Sequence, residues 1–138
     1  MTKKTTSKLL SIILTLILGF ATYKSIELSI SELKAPGTCP AIGPVPACYI
    51  VLIGYSLAFV GSLLFLFRKR FAQPLFLVGL LIPSLLAVAG TVGQLTGLME
   101  CPKTADNTPM CYISLAMCTT CWILWLIAMR LAKTAKKQ

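Results

Sequence analysis

The sequence predicts an all-α membrane protein, a bundle of four spanning helices made from two tandem helix–outer cysteine loop–helix halves. Three observations carry this. Apolar residues make up 57% of the chain and charged ones only 12%, whereas a soluble domain is charged at roughly a quarter of its positions. Four apolar stretches reach or approach the ~20 residues that cross a bilayer. A loop bracketed by cysteines occurs twice, between the first and second stretches and again between the third and fourth. With 138 residues in all, four spans leave no room for a separate soluble domain, so residues 1–138 are expected to form a single transmembrane domain.

The spans are expected at about 9–33, 48–67, 74–98 and 111–131, with the tandem halves at about 9–70 and 71–132. The first apolar run, Leu9 to Tyr23, is too short to cross alone at 1.5 Å per residue. It continues through Ile26, Leu28, Ile30 and Leu33, with Lys24, Glu27 and Glu32 on other faces. This pattern predicts one helix that spans and then projects past the membrane, ending at Pro36-Gly37. Lys3, Lys4 and Lys8 before an apolar core imitate a signal peptide, but no small-residue cleavage site follows directly, so a retained helix is expected. Arg68-Lys69-Arg70 closes the second span, Pro83 is expected to kink the third, and a basic tail ends the fourth. Gly54, Ala58 and Ser62 on the second span, and Ala89, Gly93 and Gly97 on the third, repeat every four residues. Small residues so spaced let helix backbones approach closely in lipid.

Charge fixes the expected orientation. Lys3, Lys4, Lys8, Arg68, Lys69, Arg70, Arg130, Lys133, Lys136 and Lys137 fall on one side with no acid among them. Lys24, Lys34 and Lys103 fall on the other side with Glu27, Glu32, Glu100 and Asp106, which recovers the net +9. The positive-inside rule then places both termini in the cytoplasm and both cysteine loops outside. The positive charge is therefore topological. No basic patch is interleaved with aromatics, so nucleic acid is excluded as a partner, and the expected surroundings are membrane lipid.

The two loops repeat each other. The first reads Cys39-Pro40, five residues, then Pro46-Ala47-Cys48-Tyr49-Ile50; the second reads Cys101-Pro102, six residues, then Pro109-Met110-Cys111-Tyr112-Ile113. Their matching orientation predicts halves related by an axis along the membrane normal. On the oxidising side disulfides persist. Cys39–Cys48 and Cys101–Cys111 are expected within their own loops. Cross-pairing of Cys39 with Cys101, or Cys48 with Cys111, is the rival that duplication permits. Each local bond is either a permanent staple worth about 2–3 kcal/mol or an exchangeable shuttle.

Histidine is absent and only four acids are present. Histidine-ligated metals, imidazole-ligated haem, histidine-based triads and intramembrane paired carboxylates are thereby excluded. Cysteine is the one reactive side chain in quantity. Cys118-Thr119-Thr120-Cys121 lies inside the fourth span, about 10–15 Å along the helix from Cys111. A Cys-x-x-Cys puts both sulfurs on one helix face and permits an easily broken local bond, at a depth where a lipid-soluble oxidant can reach. Simple packing is the competing reading, since free cysteine behaves as a small apolar residue. Cys111 and Cys118, seven apart, share a helix face along which thiol exchange can run. Thr91, Gln94 and Thr96 cluster at a similar depth. Gln94 is a candidate hydrogen-bond donor to a quinone carbonyl, and Tyr49, Tyr112 and Trp122 are candidates for ring surface. An interhelical hydrogen bond and the interfacial aromatic belt are their structural alternatives.

Four spans, a cysteine pair in the first outer loop and Cys118-Thr119-Thr120-Cys121 in the outer half of the fourth together resemble the vitamin K epoxide reductase family. The quinone-linked disulfide oxidases of bacterial cytoplasmic membranes are similar in plan. The resemblance implies that Cys39 and Cys48 are a shuttle pair exchanging with a thioredoxin-like periplasmic partner, and that Cys118 and Cys121 pass electrons on to a quinone. No thioredoxin-like domain is on this chain, so the partner is expected to be separate. The second pair, Cys101 and Cys111, lies outside the family plan.

Three functions follow as expectations. The first is a membrane thiol–disulfide oxidoreductase. The second is a non-enzymatic accessory subunit of a larger membrane complex, held together by structural disulfides. The third is a soft-metal carrier, since thiolates select copper(I) or mercury and five methionines accompany the six cysteines.

Overall fold

A computed structural model describes residues 3–37, 39–67, 71–98, 100–101, 103 and 107–136. Arg68, Lys69, Arg70, Pro102, Asp106 and Lys137, used above for the charge and repeat patterns, lie outside the described residues. Four helices account for nearly all of the rest: α1 (Lys3–Lys34), α2 (Ala47–Leu66), α3 (Ala72–Thr96) and α4 (Met110–Lys136). All four are long and apolar enough to cross a membrane, and they pack as an all-α four-helix bundle. Helix α1 packs on α2 and α4, and α3 packs on the same two, so α2 and α4 face each other diagonally.

Helix α1 has 32 residues and so is about 48 Å long, well beyond the ~30 Å hydrocarbon thickness. This is the single continuous helix that the apolar pattern predicts. Its inward face carries Leu14, Leu18 and Ala21 among hydroxyl residues. Those hydroxyls satisfy themselves: Ser11, Thr15, Ser25 and Ser29 each donate to the carbonyl one turn back, at 2.8–3.0 Å. Outward, residues such as Leu16, Phe20, Val92 and Leu95 are exposed, as lipid-facing positions are.

The tightest seam joins α2 and α3. A Cβ on Gly54 would meet Pro83 Cδ at 2.6 Å, one on Gly61 would meet the Phe76 backbone nitrogen at 2.6 Å, and one on Gly79 would strike the backbone of Ala58. Gly54, Ala58 and Ser62 are buried, as their spacing predicts. The third helix differs from expectation. Its buried small residues are Gly79, Pro83, Ala87 and, as expected, Gly93, while Ala89 is exposed. Gly97 is not a packing residue either: it caps α3 at φ +71°, with its amide and that of Leu98 returning to Gln94 and Gly93 carbonyls. Pro83 sits inside a helix that stays continuous from Ala72 to Thr96.

The first loop folds into a small hairpin, β1 (Ala41–Ile42) against β2 (Val45–Pro46), turning at Gly43 with φ +65°. The second loop has only an isolated bridge between Lys103 and Pro109. Each loop is closed by its own disulfide, Cys39–Cys48 and Cys101–Cys111, with Cα–Cα separations of 6.2 Å in both. The local pairing is the one formed.

Candidate functional site

The two loops are anchored by equivalent residues. Glu32, near the end of α1, accepts the amides of Gly37 at 2.9 Å and Cys39 at 2.8 Å. Gln94, near the end of α3, accepts the amide of Cys101 at 2.8 Å. Both stand seven residues before the first cysteine of their loop. Gln94 thus accepts from the loop backbone through its side-chain carbonyl, a different group from the side-chain N–H that the sequence offers to a quinone. The second cysteine of each loop, Cys48 or Cys111, is the second residue of the following helix.

Inside the bundle, Cys118 and Cys121 are both free and each is 1% exposed. They belong to the central apolar cluster with Leu14, Leu18, Tyr55, Ala58, Phe76 and Leu80. The partner of the Cys118 sulfur is the hydroxyl of Tyr55, 3.3 Å away. That hydroxyl also meets Ser114 Oγ at 3.0 Å. Tyr55 is on α2 and Cys118 on α4, so the contact crosses the middle of the bundle. Tyr55 stands seven residues after Cys48, and Cys118 seven after Cys111. A contact between equivalent residues of two repeated halves marks the place where those halves meet.

A cavity of about 430 Å³ opens between α1, α2 and α4. Apolar side chains dominate its wall, among them Phe20, Leu28, Val51, Ile113 and Met117, and Tyr55 and Ser114 contribute hydroxyls. Lys24 and Glu27, paired at 2.7 Å, also line it. The volume falls within the ordinary range for small-molecule sites, and the pattern of apolar wall with a few polar groups is also ordinary for them. Tyr55 is the residue common to the cavity wall and the buried thiol.

The structure does not place Gln94, Tyr112 or Trp122 in that wall. Trp122 donates its indole N–H to Ser84 Oγ at 3.1 Å and packs edge-on against Trp125. Tyr112 is exposed. Cys111 lies two turns, about 10 Å, above Cys118 along α4, and the Cys39–Cys48 bond sits at the head of α2. Among the described residues, no group of three or more histidine, cysteine or acidic side chains is arranged to hold a metal ion.

Comparisons with protein-family models, with curated proteins and with solved structures return no match. Function must then be argued from the chemistry of the site. Sequence reading missed Tyr55 and Ser114, although the repeat carried the signal: the position seven beyond the loop cysteine is Tyr55 in one half and Cys118 in the other.

Proposed function

We propose that the protein is a membrane thiol–disulfide oxidoreductase that passes electrons from an outer cysteine pair, through Cys118 and Cys121, to a lipid-soluble quinone. The observation that carries the reading is the contact of Tyr55 with Cys118, because Tyr55 also forms part of the cavity wall. A buried dithiol that were only filler would need no polar partner. Here the sulfur is hydrogen-bonded to a hydroxyl that reaches a space of ligand size.

The chain's own residues would act as follows. Closing a Cys118–Cys121 bond releases two electrons and two protons. The i, i+3 spacing sets both sulfurs on one face of α4. Ser114 and Tyr55 form a hydroxyl path from the Cys118 sulfur to the cavity. The apolar wall suits a ring and prenyl chain, and the dry surroundings keep the thiols from adventitious water. A quinone held there would supply the two-electron, two-proton sink. Reduction of an outer disulfide by a separate dithiol partner would complete the cycle. This is the division of labour that the vitamin K epoxide reductase resemblance implies.

The accessory-subunit reading has its own support. Cys39, Cys48 and Cys101 are 4–5% exposed, and Glu32 and Gln94 hold the first cysteine of each loop, as permanent staples would be held.

Purified protein in lipid nanodiscs, supplied with a reduced Cys-x-x-Cys peptide and a short-chain quinone, separates the two. Quinone reduction by wild type is expected, lost in Cys118→Ser and Cys121→Ser. Tyr55→Phe should keep the fold, since one buried hydrogen-bond system in a membrane protein is worth about 0.6–1.5 kcal/mol, yet slow turnover. No turnover by wild type, or wild-type rates in both serine variants, would select the accessory subunit.

A further inference from the structure

The two outer disulfides are not equivalent. Cys39 and Cys48 are both buried, at 5% exposure each, and the β1–β2 hairpin lies between them in the chain. In the second loop Cys101 is buried at 4%, but Cys111 is partly exposed. Of the four loop cysteines, then, Cys111 is the one that is not buried.

Two further differences point the same way. Cys111 rests against α3 at Gly90, where an added Cβ would come within 2.8 Å of its sulfur, and the Cys101 sulfur lies 3.7 Å from the Gly90 carbonyl. A thiol at Cys101 would therefore have an acceptor waiting. Secondly, one face of α4 reads Cys111, Ser114, Cys118, and the matching face of α2 reads Cys48, Val51, Tyr55. Only the α4 face carries a hydroxyl between the loop cysteine and the bundle centre, and that hydroxyl is bonded to Tyr55 at 3.0 Å.

We infer that Cys101–Cys111 is the point of electron entry, with Cys111 the sulfur attacked by an external dithiol, and that Cys39–Cys48 is the staple. This rests on the oxidoreductase reading above and names its entry site. The external thiolate bonds to the Cys111 sulfur as the Cys101–Cys111 bond breaks. Cys101 leaves with the electron pair and takes up a proton, its thiol facing the Gly90 carbonyl. The partner's second thiolate then attacks the partner sulfur of the mixed disulfide. A partner disulfide forms and Cys111 is released as a thiolate. The partner dithiol loses two electrons and two protons; the loop pair gains the two electrons and one proton, on Cys101, and the second proton passes to water until the Cys111 thiolate takes one up. The N-terminal turn of α4 favours the released thiolate through the positive end of the helix dipole; Cys48 has the same advantage on α2 but is buried.

The test uses full-length protein in nanodiscs and a water-soluble peptide carrying a reduced Cys-x-x-Cys. Samples are acid-quenched, alkylated and read by peptide mass spectrometry. Cys101–Cys111 is expected to open about ten-fold or more faster than Cys39–Cys48, in proportion to access of the attacked sulfur. In Cys101→Ser the Cys111 thiol should capture the oxidised peptide as a mixed disulfide, and in Cys111→Ser the buried Cys101 thiol should not. Equal opening of the two loops, faster opening of Cys39–Cys48, or equal capture by Cys101 would overturn the assignment. The order of opening needs no variant, so a misfolded mutant does not rescue it. If Cys101–Cys111 opens first while Cys118 and Cys121 stay unchanged with quinone present, the entry site stands and the relay to quinone falls.

Discussion

Replacing Gln94 tests whether this residue serves the loop or a ligand. Its side-chain oxygen takes the Cys101 amide at 2.8 Å, and Cys101 is 4% exposed. Gln94→Ala leaves that amide buried without its acceptor, at a cost of about 1–3 kcal/mol. Gln94→Glu keeps an oxygen at the same reach. The other half of the molecule already uses this arrangement, for Glu32 accepts the Cys39 amide at 2.8 Å from the same position. Gln94→Glu should therefore stay within about 1 kcal/mol of wild type. Glu32→Ala should cost more than Gln94→Ala, about 2–3 kcal/mol, because the lost bonds are charge-assisted. Its effect is limited to little more than one amide, since Gly37 is exposed and can turn to water while buried Cys39 cannot. The assay is equilibrium unfolding in mixed micelles of rising denaturing-detergent fraction, with the rate of Cys101–Cys111 reduction followed in parallel. The order wild type, Gln94→Glu, Gln94→Ala in both readouts is expected. Wild-type stability in Gln94→Ala together with lost quinone turnover would refute the reasoning and return Gln94 to the ligand. So would a Gln94→Glu variant as unstable as Gln94→Ala.

Two other predictions rest on packing and charge. Gly79→Ala should destabilise by about 1–3 kcal/mol, the usual cost of overpacking, since the new carbon meets only backbone of α2; Gly19→Ala should fall within about 1 kcal/mol of wild type, because it meets the movable Phe59 ring at 3.3 Å and gains helix propensity. Equal unfolding midpoints for these two variants would show that the α2–α3 seam is looser than drawn. The one-sided distribution of ten basic residues predicts that, after reduction, a membrane-impermeant maleimide labels loop cysteines in intact cells carrying a Cys118→Ser, Cys121→Ser chain; labelling only after the cells are opened would reverse the topology.

Most of the architecture was legible because hydropathy and helix length are one-dimensional. The ends of α2, Ala47 and Leu66, fall within a residue of the expected 48–67, and α1 runs unbroken to Lys34 as its continuing apolar pattern requires. The loop disulfides were legible for a similar reason: each closes a short segment, so pairing needs no knowledge of the bundle. What failed was knowledge of faces. Of Ala89, Gly93 and Gly97 only Gly93 is buried; Gly79, Pro83 and Ala87 have the same spacing, and spacing cannot say which of two faces is covered. Proline at position 83 obscures the second stripe, since in a sequence it signals a helix kink, whereas here its ring packs against Gly54. Tyr55 was hidden for a different reason. Its hydroxyl matters only because α4 brings Cys118 to it from 63 residues away, and nothing local to either residue records that approach.

The duplication does record it, in the positions where the halves differ. Two core positions of α1 and α3 are matched: Leu18 with Leu80, both fully buried, and Leu14 with Phe76. Loop anchors are matched in geometry and nearly in chemistry, as Glu32 and Gln94. At the bundle centre the matching breaks down. Tyr55 answers Cys118, Ala58 answers Cys121, and Val51 answers Ser114. All three replacements put a more reactive or more polar group on α4 than on α2, or set a hydroxyl against a thiol, and all lie on the faces that meet across the bundle. Two halves needed only for mutual support have no reason to diverge there, because a symmetric core packs as well with alanine as with cysteine. Other core pairs diverge as well, Ala21 from Pro83, Ser25 from Ala87 and Ser62 from Trp125, but the three at the bundle centre are set around one hydrogen-bonded thiol, beside a cavity that Tyr55 lines, and it is there that the proposed chemistry of the second half is to be tested.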